Sequence, residues 1–148
     1  MIATYWPHLL ALLVGIGLTV QVGMNMTIAR VVGTPLWASV ANFTVGLVAL
    51  FATALLIGSR PAPGAVAQVP LWAWFGGLLG AAYVASVTLL GPRIGGMTLV
   101  AIVITGQLVA GLTVDHFGVL GYPQIPVTPT RWLGAALLLA GALLVMRR

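Results

Sequence analysis

The segment IGGMTLVAIVITGQLVAGLTV, residues 94–114, contains no charged side chain over its whole length. A helix needs about 20 apolar residues to cross the roughly 30 Å hydrocarbon core of a bilayer, so this segment is long enough to span it. Asp115, the single acidic residue of the chain, follows directly. The segment therefore predicts a transmembrane helix and places the chain among integral membrane proteins.

Four further segments of this kind occur, at residues 7–29, 36–57, 71–90 and 132–146. The connections between them contain proline and glycine, which end helices, and arginine, whose charge is costly inside the bilayer; the shortest connection is Gly-Pro-Arg at 91–93. The chain's tryptophans lie at or near the ends of these segments, as in an aromatic belt at the membrane surface: Trp6, Trp37, Trp72, Trp74 and Trp132. The predicted fold class is all-α, with residues 1–148 forming one domain of five transmembrane helices.

The composition excludes several classes of function. Hydrophobic residues make up 61% of the chain and charged residues only 5%, against about 25% charged in a globular domain, so no soluble surface is possible. The six arginines are spread along the chain and form no basic patch, which argues against nucleic acid as a partner. With one carboxylate and no cysteine, the chain lacks the groups of an enzyme or a cofactor site, and His8 with His116 are too few for a metal site.

An odd number of spans places the two termini on opposite sides of the membrane. Two arginines, Arg60 and Arg131, then share the side of the N-terminus. Four share the side of the C-terminus: Arg30, Arg93, Arg147 and Arg148. This difference favours a cytoplasmic C-terminus, but it is small. Two alternatives stay open: the chain inserts in both orientations and pairs with itself as an antiparallel homodimer, or it pairs with a homologous, oppositely oriented chain.

Polar side chains inside the spans are the candidates for a binding site, because they are costly in a membrane. Gln21 and Asn25 are spaced by four on the first span, and Gln107 and Asp115 lie on one face of the fourth. With Asn42 of the second span, these amides predict a polar cavity bounded by three helices. We predict that Gln21, Asn25, Asn42 and Gln107 line a substrate site. Alternatively, these amides only join helices, at about 0.6 kcal/mol each.

Asp115 lies at the end of its span, where the helix macrodipole disfavours an anion. Within the chain, Arg60 and Arg131 are the arginines on its side of the membrane. In an antiparallel dimer, the partner's Arg30 and the partner's Arg93 would reach the same side, so Arg30, Arg93 and Asp115 are predicted to form gating or intersubunit ion pairs. An unpaired Asp115 would instead be able to exchange protons with a transported cation.

Taken in order, several motifs resemble the YdcZ-like branch of the drug/metabolite transporter superfamily, a group of short five-helix proteins. The motifs are QVGMNMTIAR at 21–30, PLWASVANFTVG at 35–46, GGLLGAAYV at 76–84, GPRIGG at 91–96 and GQLVAGLTVDHFGVLG at 106–121. The resemblance implies half of an inverted-repeat transporter, in which two inverted five-helix units form the working protein in the inner membrane. It also makes all seven predicted site residues positions in family motifs.

From the residues and the resemblance together, we predict a secondary transporter that moves a small metabolite or drug-like solute across the inner membrane, with its site at a two-chain interface. The competing hypothesis is a non-transporting scaffold or accessory subunit of a paired five-helix chain. The related small multidrug transporters use a glutamate in the first helix, where this chain has Gln21 and Asn25. The lack of a carboxylate near the membrane midplane favours a neutral or anionic solute over a polycation.

Overall fold

The structure, a computed structural model, describes residues 2–147 and the side chains of residues 5–147; Arg148, which entered the charge balance, lies outside the described residues. All regular structure in the described range is helical. The five α-helices are α1 (Ile2–Val32), α2 (Pro35–Leu56), α3 (Phe75–Ile94), α4 (Gly96–Phe117) and α5 (Pro129–Met146). Short 3-10 turns at Val66–Gln68 and Leu71–Trp74 precede α3.

All five helices are long and apolar enough to cross a bilayer. Their most apolar windows have mean hydropathies between 1.5 and 2.0. Most large apolar side chains lie on the outer surface, such as Leu79, which is 71% exposed. A soluble protein would bury these side chains, whereas lipid covers them at no cost. The predicted all-helical membrane fold with five long apolar helices is therefore confirmed.

The same two-residue signal starts α2 and α5. The hydroxyl oxygen of Thr34 accepts a hydrogen bond from the backbone N–H of Leu36 at 3.2 Å, and Pro35 follows as the first helical residue. At α5, the Thr128 hydroxyl accepts from the N–H of Arg131 at 3.4 Å, and Pro129 is the first helical residue. A threonine satisfies a free N–H of the first turn, and proline has no N–H to lose there.

The end of α3 differs from the sequence prediction. The connection predicted at 91–93 is helical, and α3 continues to Ile94. Pro92 fixes a φ that suits a helix, and near the end of α3 it removes only the hydrogen bond that its N–H would donate to the Thr88 carbonyl. The chain turns instead at Gly95, whose φ of +84° is readily available to glycine. The segment predicted at 71–90 thus begins as a 3-10 turn and ends four residues later.

The described chain divides after Arg93 into two packed units. In the first unit α1 packs against α2, and in the second α4 packs against α5. Each of these helix pairs encloses a cleft with polar residues, and the two clefts are described in turn below.

Candidate functional site

The cleft between α1 and α2, here called the amide cleft, has a volume of about 610 Å³. Its polar residues are Gln21 and Asn25 on α1 and Asn42 on α2. The Gln21 side-chain NH₂ donates a hydrogen bond to the Asn42 side-chain oxygen at 3.0 Å. The rest of the lining is apolar: Met24, Ile28, Ala41, Phe43, Val45, Gly46, Leu47 and Leu50. Three of the four amides predicted to line a substrate site therefore lie around one cleft.

Asn25 differs from the other two amides because its side-chain nitrogen has no hydrogen-bond partner among the described residues. The residue is only 2% exposed, and this nitrogen is shielded from solvent. It lies one turn after Gln21 on the same face of α1. Leaving a buried donor unpaired costs about 1–3 kcal/mol, so native structures rarely do so without a reason.

Hydroxyl groups on the same two helices contrast with Asn25, because they bond to their own backbone. The Ser39 hydroxyl donates to the Pro35 carbonyl at 2.9 Å, and the Thr27 hydroxyl donates to the Gly23 carbonyl at 3.0 Å. Thr88 on α3 is the other buried group with an unpaired side-chain atom among the described residues. It lines neither the amide cleft nor the cleft between α4 and α5.

The cleft between α4 and α5, here called the ion-pair cleft, has a volume of about 490 Å³. On α4 it is lined by Gln107, Gly111 and Asp115, which the four-residue spacing had placed on one face. On α5 it is lined by Arg131 at one end and Leu138 at the other. Gln107 thus belongs to a different cleft from the other three amides, and a single cavity holding all four stays a prediction.

Asp115 is paired within its own chain. A guanidinium nitrogen of Arg131 donates to the Asp115 carboxylate at 2.9 Å, and another donates to the Ile125 carbonyl at 3.3 Å. The side chain of Arg131 is 37% exposed and that of Asp115 is 22% exposed. Asp115 lies in the last turn of α4 and Arg131 in the first turn of α5, so each charge is disfavoured by its own helix macrodipole and compensated by the other charge.

Arg131 was not among the site residues predicted from the sequence. The available signal was topological, since Arg131 shares the predicted side of Asp115. Arg30 and Arg93, which were predicted to pair with Asp115 across a dimer, lie in the last turns of α1 and α3, where the macrodipole favours a cation. Both are exposed, and neither has a side-chain hydrogen bond or ion pair to another residue in the range 5–147.

The connection from α4 to α5 folds back on the end of α4 and so brings Arg131 to Asp115. The Gln124 side chain donates to the His116 carbonyl at 3.3 Å, and the Val127 N–H donates to the His116 ring nitrogen Nδ1 at 3.5 Å. Gly118 ends α4 with φ +61°, and a Cβ there would lie 2.8 Å from Cβ of Gln124. Glycine is therefore required at this position on two grounds, backbone conformation and space.

His116, in the last turn of α4, accepts a hydrogen bond from the connection through its ring nitrogen. Across the part of the chain that the structure describes, no three His, Cys, Asp or Glu side chains come together as metal ligands would. The polar groups that line the two clefts are amides, one carboxylate and one guanidinium, which can bind a solute through hydrogen bonds and ion pairs.

Comparison with known proteins gives the family. The family described as "Putative inner membrane exporter, YdcZ" matches residues 6–144. The chain is 35% identical over 136 residues to "Inner membrane protein YdcZ" of Escherichia coli (strain K12), covering 90% of each chain. No solved structure matches significantly. With its five apolar helices, this chain is a multi-pass inner-membrane protein that belongs to the YdcZ family.

Proposed function

We propose that the chain is one half of a secondary transporter that exports a small solute across the inner membrane, and that the amide cleft is part of the solute path. The observation that carries this proposal is the unpaired side-chain nitrogen of Asn25. Amides that only hold helices together bond across the helix interface, as Gln21 and Asn42 do. The side-chain NH₂ of Asn25 instead has no partner among the described residues, and this unfavourable arrangement has no purpose in a protein that only joins helices.

The lining of the amide cleft favours a neutral polar or anionic solute. Its three amides each carry an NH₂ donor and a carbonyl acceptor, and none of the lining residues is charged. A cation without a carboxylate partner would pay its full desolvation cost there. The family description as an exporter supports the outward direction of transport.

We further propose that the working protein is an antiparallel dimer, either of this chain alone or with a homologous chain. The small difference in arginines between the two sides supports insertion in both orientations. Arg30 and Arg93 are exposed, and both are free to contact groups of a partner and to change contacts as the site opens to either side. Asp115 already has a partner in Arg131, so it does not require an arginine from a second chain.

Reactivity of a cysteine in the amide cleft tests transport against the scaffold hypothesis. The chain has no cysteine, and a Cβ added at Gly46 meets nothing within 4 Å, so Gly46→Cys places one thiol in the cleft with little disturbance. If water and solutes enter this cleft, a small charged methanethiosulfonate added to membranes should modify Gly46→Cys at least about 10 times faster than a lipid-facing thiol. The rate is measured by blocking later labelling with a fluorescent maleimide.

Val48→Cys is the matched control for this experiment. Val48 is exposed on α2, does not line the amide cleft, and lies only about 3 Å further along the helix axis. Equal rates for the two cysteines would contradict an aqueous path through the amide cleft and favour the scaffold hypothesis.

Labelling at the chain ends tests the dual orientation. Two single-cysteine variants are needed, Tyr5→Cys and a cysteine appended after Arg148, together with a membrane-impermeant maleimide applied to intact cells and then to lysed cells. We expect each terminus to be accessible from outside in about half of the molecules, because the charge bias is weak. Exclusive labelling of one terminus would rule out the homodimer and leave a pair with an oppositely oriented homologous chain.

A further inference from the structure

The ion-pair cleft combines two opposite charges at one end with an apolar surface at the other. Asp115 and Arg131 form the charged end, and both side chains line the cleft. Next to the charges, the small residues Gly111, Gly134 and Ala135 leave space between the helices, and toward the other end the lining is apolar, with Ile104, Leu108 and Leu138. The amide of Gln107 lies two turns from Asp115, about 12 Å along α4.

We propose that the ion-pair cleft binds a zwitterion of zero net charge, one that carries an ammonium and a carboxylate close together and an apolar side chain. This inference goes beyond the proposed function, which concerns the amide cleft, because it assigns a second binding site to the ion-pair cleft. The ammonium binds Asp115 and the carboxylate binds Arg131, so the solute inserts between two groups that are otherwise paired with each other. The apolar side chain lies along the small-residue surface toward Leu138.

Charge balance separates a zwitterion from other solutes. In the solute-free cleft, one carboxylate and one guanidinium compensate each other at 2.9 Å. A monovalent cation that took Asp115 would leave Arg131 unpaired in a half-buried site, and a monovalent anion that took Arg131 would leave Asp115 unpaired. Unpaired charges in such sites are strongly unfavourable. A zwitterion exchanges one ion pair for two, so every charge keeps a partner.

The arrangement of the two helix ends makes this exchange feasible. Each charge lies at the helix end that its macrodipole disfavours, and among the described residues the polar contacts of the two side chains are the ion pair itself and the hydrogen bond from Arg131 to Ile125. The guanidinium has five N–H donors, and two of its nitrogens are used in the pair and in the bond to Ile125. A solute carboxylate can therefore bind Arg131 before the bond to Asp115 has opened.

Three probes with the same apolar group test the proposal: L-leucine, isoamylamine, which lacks the carboxylate, and isocaproate, which lacks the ammonium. Binding is measured by isothermal calorimetry and by thermal unfolding, on the full chain in lipid nanodiscs. We expect L-leucine to bind and to raise the unfolding temperature, and both single-charge analogues to bind at least about 10 times more weakly, because each leaves one charge unpaired.

Two variants test which group binds which charge. In Arg131→Gln the remaining carboxylate should make isoamylamine the tightest of the three probes, and in Asp115→Asn the remaining guanidinium should favour isocaproate. The double variant, which has neither charge, should bind none of the three and should fold as well as the original protein. This reversal of preference is a readout that loss of stability alone cannot produce.

The proposal is overturned if L-leucine does not bind, if all three probes bind equally, or if either single variant keeps the original order of preference. These results are independent of the test of transport. If L-leucine fails to bind but Gly46→Cys still reacts faster than Val48→Cys, the zwitterion site falls and the transporter stands. If Gly46→Cys is unreactive, the proposed function falls whatever the ion-pair cleft binds.

Discussion

Replacing Arg131 with methionine should lower the free energy of unfolding by about 2–3 kcal/mol, more than the removal of any other described arginine. Breaking a buried ion pair costs about 3–5 kcal/mol because one charge is left without a partner, and contact with water at this pair reduces that cost. Asp115 would remain at the end of α4, where the macrodipole adds to its cost. The measurement is reversible unfolding in detergent micelles.

Two further variants control this prediction. Arg60→Met removes an exposed arginine from the connection after α2, where no side-chain partner is found among residues 5–147, and should change stability by less than about 0.5 kcal/mol. Adding Asp115→Asn to Arg131→Met should recover most of the loss, since no charge is then left unpaired. If the double variant is as unstable as Arg131→Met alone, the loss comes from packing of the arginine side chain and not from the ion pair.

Asn25→Leu should stabilise the protein and at the same time impair its function. The leucine removes a buried donor without a partner, so the free energy of unfolding should rise by about 1–2 kcal/mol. It also makes the lining of the amide cleft less polar and fills part of its volume, and both changes reduce the water that the cleft holds. The modification rate of Gly46→Cys should therefore fall several-fold when Asn25→Leu is added, in the same labelling assay.

The added bulk of leucine requires a second variant. Asn25→Ala removes the amide without filling space, and should cost no more than about 1 kcal/mol, whereas loss of a satisfied buried amide costs about 1–3 kcal/mol. Ser39→Ala is a comparison at a buried polar group that already has a partner, the Pro35 carbonyl, and should bring no gain in stability. If both substitutions at Asn25 destabilise the protein strongly, its amide serves the structure and the main support for the proposed function is lost.

Most of the fold follows from the sequence because a bilayer imposes a simple condition, about 20 apolar residues for each span. Helix ends are harder to place. The sequence predicted that the third helix ends before Pro92, whereas in the structure the chain turns at Gly95. A proline in the last turn costs one hydrogen bond, but a glycine with positive φ ends the helix. The Thr-Pro signals at 34–35 and 128–129 would have placed the starts of α2 and α5 correctly.

The contacts of the candidate site were harder to predict from the sequence than the fold. Helical spacing alone puts Gln21 and Asn25, or Gln107 and Asp115, on one face, because this is a local property of the chain. The partner of Asp115 is not local, since it depends on an eleven-residue connection that folds back through Gln124 and Val127 onto His116. The assignment of amides to separate clefts also depends on which helices pack together, and periodicity does not determine this.

The ion pair at the two ends of the α4–α5 connection also bears on how the chain enters the membrane. When two helices insert as a hairpin, the connection between them either crosses the bilayer or stays on the side where it was made. Lys and Arg in the connection disfavour the crossing. Here Arg131 lies next to that connection and is paired with Asp115 once the hairpin has formed, so its guanidinium enters the membrane surface together with a counter-ion. We expect the other arginines to decide the orientation: Arg30, Arg60 and Arg93 while the first spans are made, and Arg147 and Arg148 after the last one.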